Sequence, residues 1–202
     1  MKKVFKSIVR VIVRAGIIFY CKIVYRLKVT GKEKRVKEGP VIFCGNHRTY
    51  LDPPLIVVTA GRHVRFLAKE ELYKNKFLAF LGWAFDAVAV KRDNKDIAAL
   101  KTTLKGLKAD EAFAMFPEGT RNGLAKGEDV KEGAAFFALK TGAKVQPVGI
   151  VGGSKPFEKV YVNYGDPLDY SEYVSKNPDK ETLAKVSEEI MDNIIKLTKS
   201  EH

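Results

Sequence analysis

From Val41 to Val151 the chain alternates short apolar runs with longer amphipathic stretches, and this alternation restricts its fold more than any other feature. The runs Val41 to Cys44, Val64 to Ala68, Ala87 to Val90, Ala112 to Phe116 and Val145 to Val151 have strand length. Between them, Pro53 to Ala60, Glu70 to Leu81, Asn94 to Lys108 and Lys131 to Thr141 carry helical spacing. Strands that alternate with helices at this interval predict an α/β fold, with a largely parallel sheet covered by helices on both faces. A late strand is expected at Lys159 to Tyr164, followed by a final helix whose apolar face is Leu183, Val186, Ile190, Ile194 and Leu197.

The helical period is clearest between Asn94 and Lys108. There Ile97, Leu100, Leu104 and Leu107 fall on one side, expected to face the sheet, and Lys101, Lys105 and Lys108 on the other. Such a lysine row is ordinarily a solvated face; contact of Lys105 with a substrate phosphate is the sharper alternative. Leu72 to Phe85, rich in Leu, Phe and Trp83, suits either a lipid-chain cleft or ordinary core, and core is the expected use.

The 202 residues suffice for one domain, and 46% hydrophobic content is ordinary for a globular chain. Charge is unevenly placed. Residues 1–38 hold eight Lys and four Arg against Glu33 and Glu38, which leaves +10 of the net +12 in this segment. Within it, Lys6, Arg10, Arg14, Lys22 and Arg26 recur at multiples of four and draw a basic stripe along an otherwise aliphatic helix with a potential bend at Gly16. Its longest uncharged run, Ala15 to Cys21, is far short of the roughly 20 residues a spanning helix needs, and no cleavage site of a signal peptide follows. The expectation is an interfacial anchor over residues 1–28, drawn by its basic face to an anionic membrane surface and followed by one folded domain over 29–202. The alternative is a helix packed on the domain with a solvated charged side. A nucleic-acid partner is disfavoured, because the charge sits among aliphatic rather than stacking residues. Cys21 and Cys44, without metal-ligand spacing, fit a reduced cytosolic setting and small core residues.

Three polar clusters each follow an expected strand: Asn46 to Asp52, Lys91 to Asp93, and Pro117 to Asn122. In a parallel sheet the carboxyl ends of the strands share an edge, so the clusters should converge. In the first, His47 is delivered by a strand and Asp52 precedes Pro53, so Asp52 is either the N-cap of the next helix or the carboxylate that orients the imidazole. In the third, Gly119 allows close backbone approach, Glu118 and Thr120 offer polar contacts, and Arg121 presents a planar fork suited to phosphate. Arg92 supplies a second cation. An ion pair between Glu118 and Arg121 is the plainer alternative. None of the six serines lies in a Gly-x-Ser-x-Gly elbow or near His47, so the nucleophile is expected to be a substrate hydroxyl, without a covalent acyl-enzyme.

Taken together, NHRTYLD at Asn46 to Asp52, VKRD at Val90 to Asp93, FPEGTRN at Phe116 to Asn122 and VQPVGI at Val145 to Ile150 resemble, in order and spacing, the four blocks of the 1-acyl-glycerol-3-phosphate acyltransferases of the glycerolipid acyltransferase superfamily. The resemblance runs from about Val29 to Ile150. One departure is Lys-Arg in the second block where many relatives have Asp-Arg. The resemblance implies His47 as general base with Asp52 orienting it. It further implies that Arg92, Glu118, Gly119, Thr120 and Arg121 meet the glycerol-phosphate end, and it leaves Lys105 as an added phosphate contact. It also implies lysophosphatidate as acceptor, acyl-CoA or acyl carrier protein as the co-substrate donor, no cofactor or metal, and attachment to the cytoplasmic face of the cell membrane without a span. Within this class, an enzyme acylating glycerol-3-phosphate or another lysophospholipid is the alternative; outside it, a non-catalytic module that binds anionic lipid.

Overall fold

The computed structural model describes residues 2–91, 96–175 and 177–199. Seven strands run in chain order as β1 (Lys28–Thr30), β2 (Val41–Gly45), β3 (Val64–Lys69), β4 (Val88–Val90), β5 (Ala112–Met115), β6 (Lys144–Gly152) and β7 (Val160–Tyr164). The helices are α1 (Lys2–Val24), α2 (Asp52–Thr59), α3 (Lys76–Ala84), α4 (Ile97–Lys108), α5 (Gly133–Thr141) and α6 (Lys180–Thr198). The strands form one sheet in the order β1-β7-β6-β2-β5-β3-β4. From β6 to β4 every pairing is parallel, whereas β7 runs antiparallel to β6 and β1 pairs parallel with β7. The fold is α/β, with the largely parallel sheet that the alternation predicts.

Strand β2 lies at the centre and is buried along its whole length. Its alternate residues point to opposite faces. Ile42 and Cys44 join Phe113, Met115 and Val145 under α4, α5 and α6. Val41 and Phe43 join Leu55 and Ile56 of α2 and Cys21 of α1 on the other face. Both cysteines are free and buried, and burial pushes the Cys21 thiol up to about 11 and that of Cys44 higher still.

One strand is additional to those expected, and three local expectations give way to the structure. Lys28 to Thr30 forms an edge strand too short to show a period, held beside β7 by pairing and by the Thr30 hydroxyl donating to Asn163 Oδ1 at 2.7 Å. The stretch expected as one helix from Glu70 divides at Asn75, whose Oδ1 accepts from the Phe77 and Leu78 N–H groups and starts α3 anew after a 3-10 turn at Glu70–Lys74. On α3, Phe77, Phe80 and Trp83 are exposed and are not core. On α4, Ile97 is exposed while Ala99, Thr103, Gly106 and Leu107 are the buried stripe, so the sheet-facing side is rotated from the leucine row.

The N-terminal helix shows the largest departure. It continues as one helix through Gly16, and Lys6, Arg10 and Arg14 of its basic stripe turn inward, towards the domain, while Lys22 stays exposed. Lys6 and Arg10 both reach Asp86, Arg10 Nε donates to the Ala84 carbonyl at 2.8 Å, and Arg14 Nε donates to the Val58 carbonyl at 3.0 Å. The opposite side leaves Val4, Phe5, Ile8, Val11, Ile12, Phe19 and Ile23 exposed. The C-terminal ends of α2 and α3 offer the Val58 and Ala84 carbonyls, and Asp86 just beyond α3 offers a carboxylate, so the cations of α1 face the domain and its aliphatic face is left outside. Neither an outward basic face nor a solvated charged side describes α1. Among the described residues no helix is long and apolar enough to cross a membrane.

Candidate active site

The loops after β2, β4 and β5 leave the same edge of the sheet, because those strands are parallel. Neighbouring strands lie about 4.8 Å apart, so the loop after β5 adjoins that after β2, and the loop after β4 begins roughly 14 Å along the edge.

His47 is held through its backbone before its ring does anything. Asn46 extends the β2–β6 ladder with its side chain: Nδ2 donates to the Ile150 carbonyl at 2.9 Å and Oδ1 accepts from Ile150 N–H at 2.7 Å. The next residue, His47, donates its N–H to Glu118 Oε1 at 2.8 Å and accepts from Asn122 N–H at 2.7 Å. Its ring stacks on Phe116, with centroids 4.4 Å apart. Nδ1 faces Asp52 Oδ2 at 3.4 Å, which leaves Nε2 available to a substrate proton.

Of the two roles open to Asp52, that of N-cap falls to another residue. Leu51 occupies that position without a side-chain cap, and Asp52 is the first helical residue. Its carboxylate, 1% exposed, turns back into the loop, accepting from the N–H groups of Arg48 and Thr49 at 2.5 Å each and from the Thr49 hydroxyl at 3.2 Å. The reason lies in the two prolines that follow: Pro53 and Pro54 have no N–H to cap, and the first one available, on Leu55, goes to the Leu51 carbonyl. The carboxylate therefore serves the turn and His47 together.

The loop after β5 is tight, with Gly119 N–H on the Phe116 carbonyl at 2.9 Å and Gly119 at φ 68°, where a Cβ would lie 2.9 Å from Lys131 Cγ. Glu118 is buried with one oxygen on the His47 backbone, and the Thr120 hydroxyl donates to Glu128 at 2.9 Å. Arg121 is exposed and its guanidinium lies 3.8 Å over the Tyr50 ring, which keeps the cation beside the His47 loop. Thus Glu118 and Arg121 point different ways, inward to His47 and outward over Tyr50. Arg92 lies outside the described residues. At the start of α4, Asp96 accepts from Lys91 N–H at 2.9 Å and caps the helix at Ala99 N–H. Those backbone hydrogen bonds from Lys91 and Ala99 hold the Asp96 carboxyl below its ordinary value. Lys105 sits exposed on the third turn of α4, roughly 12 Å down the axis from the end that meets this edge, so the structure does not gather it with the others. Among the described residues no group of three His, Cys, Asp or Glu side chains could hold a metal ion.

A cleft of about 350 Å³ opens beside the His47 loop, with Asn46, Arg48, Glu118 and Asn122 on its polar side and Ile150, Met191 and Ile195 on its apolar wall. Arg48 donates to the Gly152 carbonyl, and its buried Nε has no hydrogen-bond partner among the described residues. Asn46, Arg48 and Tyr50 all stand inside NHRTYLD, but a ladder-extending amide and a stacking ring have no pattern of their own in a sequence, whereas a spaced His and Asp do.

An acyltransferase family model matches residues 26–151, which takes in every one of these loops. The chain belongs to the acyltransferase family. Three relatives named 1-acyl-sn-glycerol-3-phosphate acyltransferase extend the match. That of Bacillus subtilis is 30% identical over 85% of this acyltransferase and 87% of its own length. That of Borreliella burgdorferi is 30% identical over 85% and 71%. That of Streptococcus pneumoniae is 32% identical over 71% of this chain, which spans 56% of that longer protein. Among solved structures, the 1-acyl-sn-glycerophosphate (LPA) acyltransferase of Thermotoga maritima superposes with a TM-score of 0.71 and 27% identity, over 96% of this acyltransferase and 83% of that chain.

Proposed function

We propose that this acyltransferase moves an acyl group from an acyl-thioester, acyl-CoA or acyl carrier protein, to the free sn-2 hydroxyl of 1-acyl-glycerol-3-phosphate, giving phosphatidate. The observation that carries the mechanism is a histidine clamped at both backbone groups with its Nδ1 on a buried carboxylate, at the carboxyl edge of the sheet. His47 Nε2 takes the hydroxyl proton as that oxygen attacks the thioester carbonyl. Asp52 stabilises the imidazolium that forms. A C–O bond forms, the C–S bond breaks, and the thiolate leaves with the proton from His47. In this reading Arg121, with Arg92, receives the acceptor phosphate, Gly119 lets it approach the loop, and Glu118 and Thr120 hold the loop rather than the glycerol. Lys105 plays no part. The thioester brings its own activation, so the step calls for neither cofactor nor metal.

The apolar outer face of α1 and the exposed aromatics of α3 support a seat in one leaflet. The two helices touch: Lys6 Nζ lies 5.4 Å from the Trp83 ring centre, so Phe77, Phe80 and Trp83 extend the surface of Val4, Phe5 and Ile8. Insertion of this face, more than charge attraction, would hold the enzyme at the cytoplasmic side of the membrane, where lysophosphatidate enters laterally. The test is thiol release from acyl-CoA and from acyl carrier protein, each with and without lysophosphatidate in vesicles. Acceptor-dependent release with either donor supports the reading. Release that ignores the acceptor would make the protein a thioesterase.

A further inference from the structure

At the opposite edge of the sheet, where β3 and β4 begin, α1 covers a cavity of about 220 Å³ lined by Ser7, Arg10, Arg14, Arg62, His63 and apolar side chains. Three guanidiniums and an imidazole thus share one small space. Part of their charge is compensated. Asp86 accepts from Lys6 and Arg10 and faces His63 Nε2 at 3.1 Å, while Arg62 donates to the carbonyls of Gly39 and Asp110 and has Asp110 and Glu38 nearby. Arg14 is different. Its one described bond is to the Val58 carbonyl, its charged neighbour is Arg35, and no carboxylate among the described residues pairs with it. Burial lowers the pKa of its guanidinium, the Tyr164 phenol partly offsets this, and Arg35 adds to the lowering.

The position of the cavity says what would reach it. An apolar helix face seats about 5–10 Å into the boundary between headgroups and acyl chains, and a helix is roughly 10 Å across. Cations on the far side of α1 then stand at the level of the lipid phosphates. We propose that the cavity between α1 and β3 receives a phosphate oxyanion, presented by the headgroup of an anionic phospholipid in the leaflet that α1 enters. Arg14 supplies the uncompensated charge, and Arg10, Arg62 and His63 complete the rim. The site is separate from the acceptor phosphate site at Arg121, which lies at the other edge of the sheet. It rests on the reading that α1 seats in a leaflet, and the two fail differently: binding to neutral vesicles reports the seat, and preference for anionic ones reports the cavity.

The experiment measures binding of the full chain to vesicles of phosphatidylcholine alone and with phosphatidylglycerol. Ser7→Glu places the protein's own carboxylate one turn from Arg10, in the cavity that Arg14 also lines; Arg14→Gln removes the charge that no described carboxylate pairs with. The wild type is expected to prefer the anionic vesicles about tenfold. Both variants should lose about fivefold of that preference or more, with binding to phosphatidylcholine and turnover in detergent unchanged. Lys101→Gln, which changes the net charge equally on the exposed face of α4, should keep the preference. Equal preference in wild type and both variants, or equal loss in Lys101→Gln, overturns the proposal. Inorganic phosphate tests the other source: a rise in melting temperature that vanishes in Ser7→Glu, with vesicle preference untouched, would replace the lipid with free phosphate.

Discussion

Asp52→Asn and Asp52→Ala separate the two tasks that the carboxylate holds at once. In the structure Oδ2 accepts two backbone N–H groups and faces His47 Nδ1. Asparagine can set its carbonyl oxygen where Oδ2 now lies, so the turn survives with neutral bonds in place of charge-assisted ones, at a cost of about 1 kcal/mol. Alanine leaves two N–H groups in a buried turn without an acceptor, at about 1–3 kcal/mol each. In a protein of this size 1 kcal/mol moves the melting temperature by roughly 2–4 °C. The asparagine variant should therefore melt only about 2–4 °C below wild type, and the alanine variant about 4–24 °C below. Turnover follows a different rule. Asparagine removes the charge that stabilises the imidazolium, so acceptor-dependent thiol release should fall by about 10²–10⁴ even though the fold is intact. Thermal melts and turnover on the same preparations give both readings. Turnover within about threefold of wild type in Asp52→Asn would refute the catalytic half, and equal melting of the two variants would refute the turn half.

Arg121→Ala should raise the acceptor KM about tenfold with little change in kcat; an unchanged KM would leave Arg121 as a partner of Tyr50 only. Glu118→Ala should lower kcat about 10²-fold at near-constant KM, with Glu118→Gln recovering most of it because an amide oxygen can still accept from His47 N–H; a selective rise in KM would instead return Glu118 to the substrate. Acid should loosen α1. Burial first, then the charges of Arg10 and Arg65, lower the His63 pKa below its ordinary 6.5 against the pull of Asp86. The unfolded chain then binds a proton that the folded one refuses, so stability is full above about 6.5 and declines as pH falls. For Asp86, burial pulls upward, but the Lys6 bond and the charges of Arg10, Lys6 and His63 outweigh it, so a second loss of the same sign begins below about 4. Melting temperature should drop from pH 7 to 5, and His63→Gln should flatten that drop; an unchanged slope would show that His63 is not its source.

The sheet was legible because β2, β5 and β6 are buried on both faces and read as unbroken apolar runs, while α4 and α6 carry long periods. The His47 turn and the β5 loop were legible as motifs, and their convergence followed from parallel strands alone. What pattern did not reveal were choices made by tertiary partners. The inward turn of the α1 stripe depends on Asp86, Ala84 and Val58, none of them near α1 in sequence. The exposure of Phe77, Phe80 and Trp83 depends on α3 lying at the rim beside α1 and not under the sheet. The role of Glu118 depends on a hydrogen bond across 71 positions, and that of Asp52 on two prolines that deny it a cap.

The central claim is that His47 removes the proton from an acceptor hydroxyl. The most direct measurement is acceptor-dependent thiol release by His47→Ala, with melting temperature recorded on the same protein. The account predicts a folded variant, since Glu118 and Asn122 hold the backbone of residue 47 and not its ring, with turnover lower by about 10²-fold or more. A folded variant with wild-type turnover would contradict it.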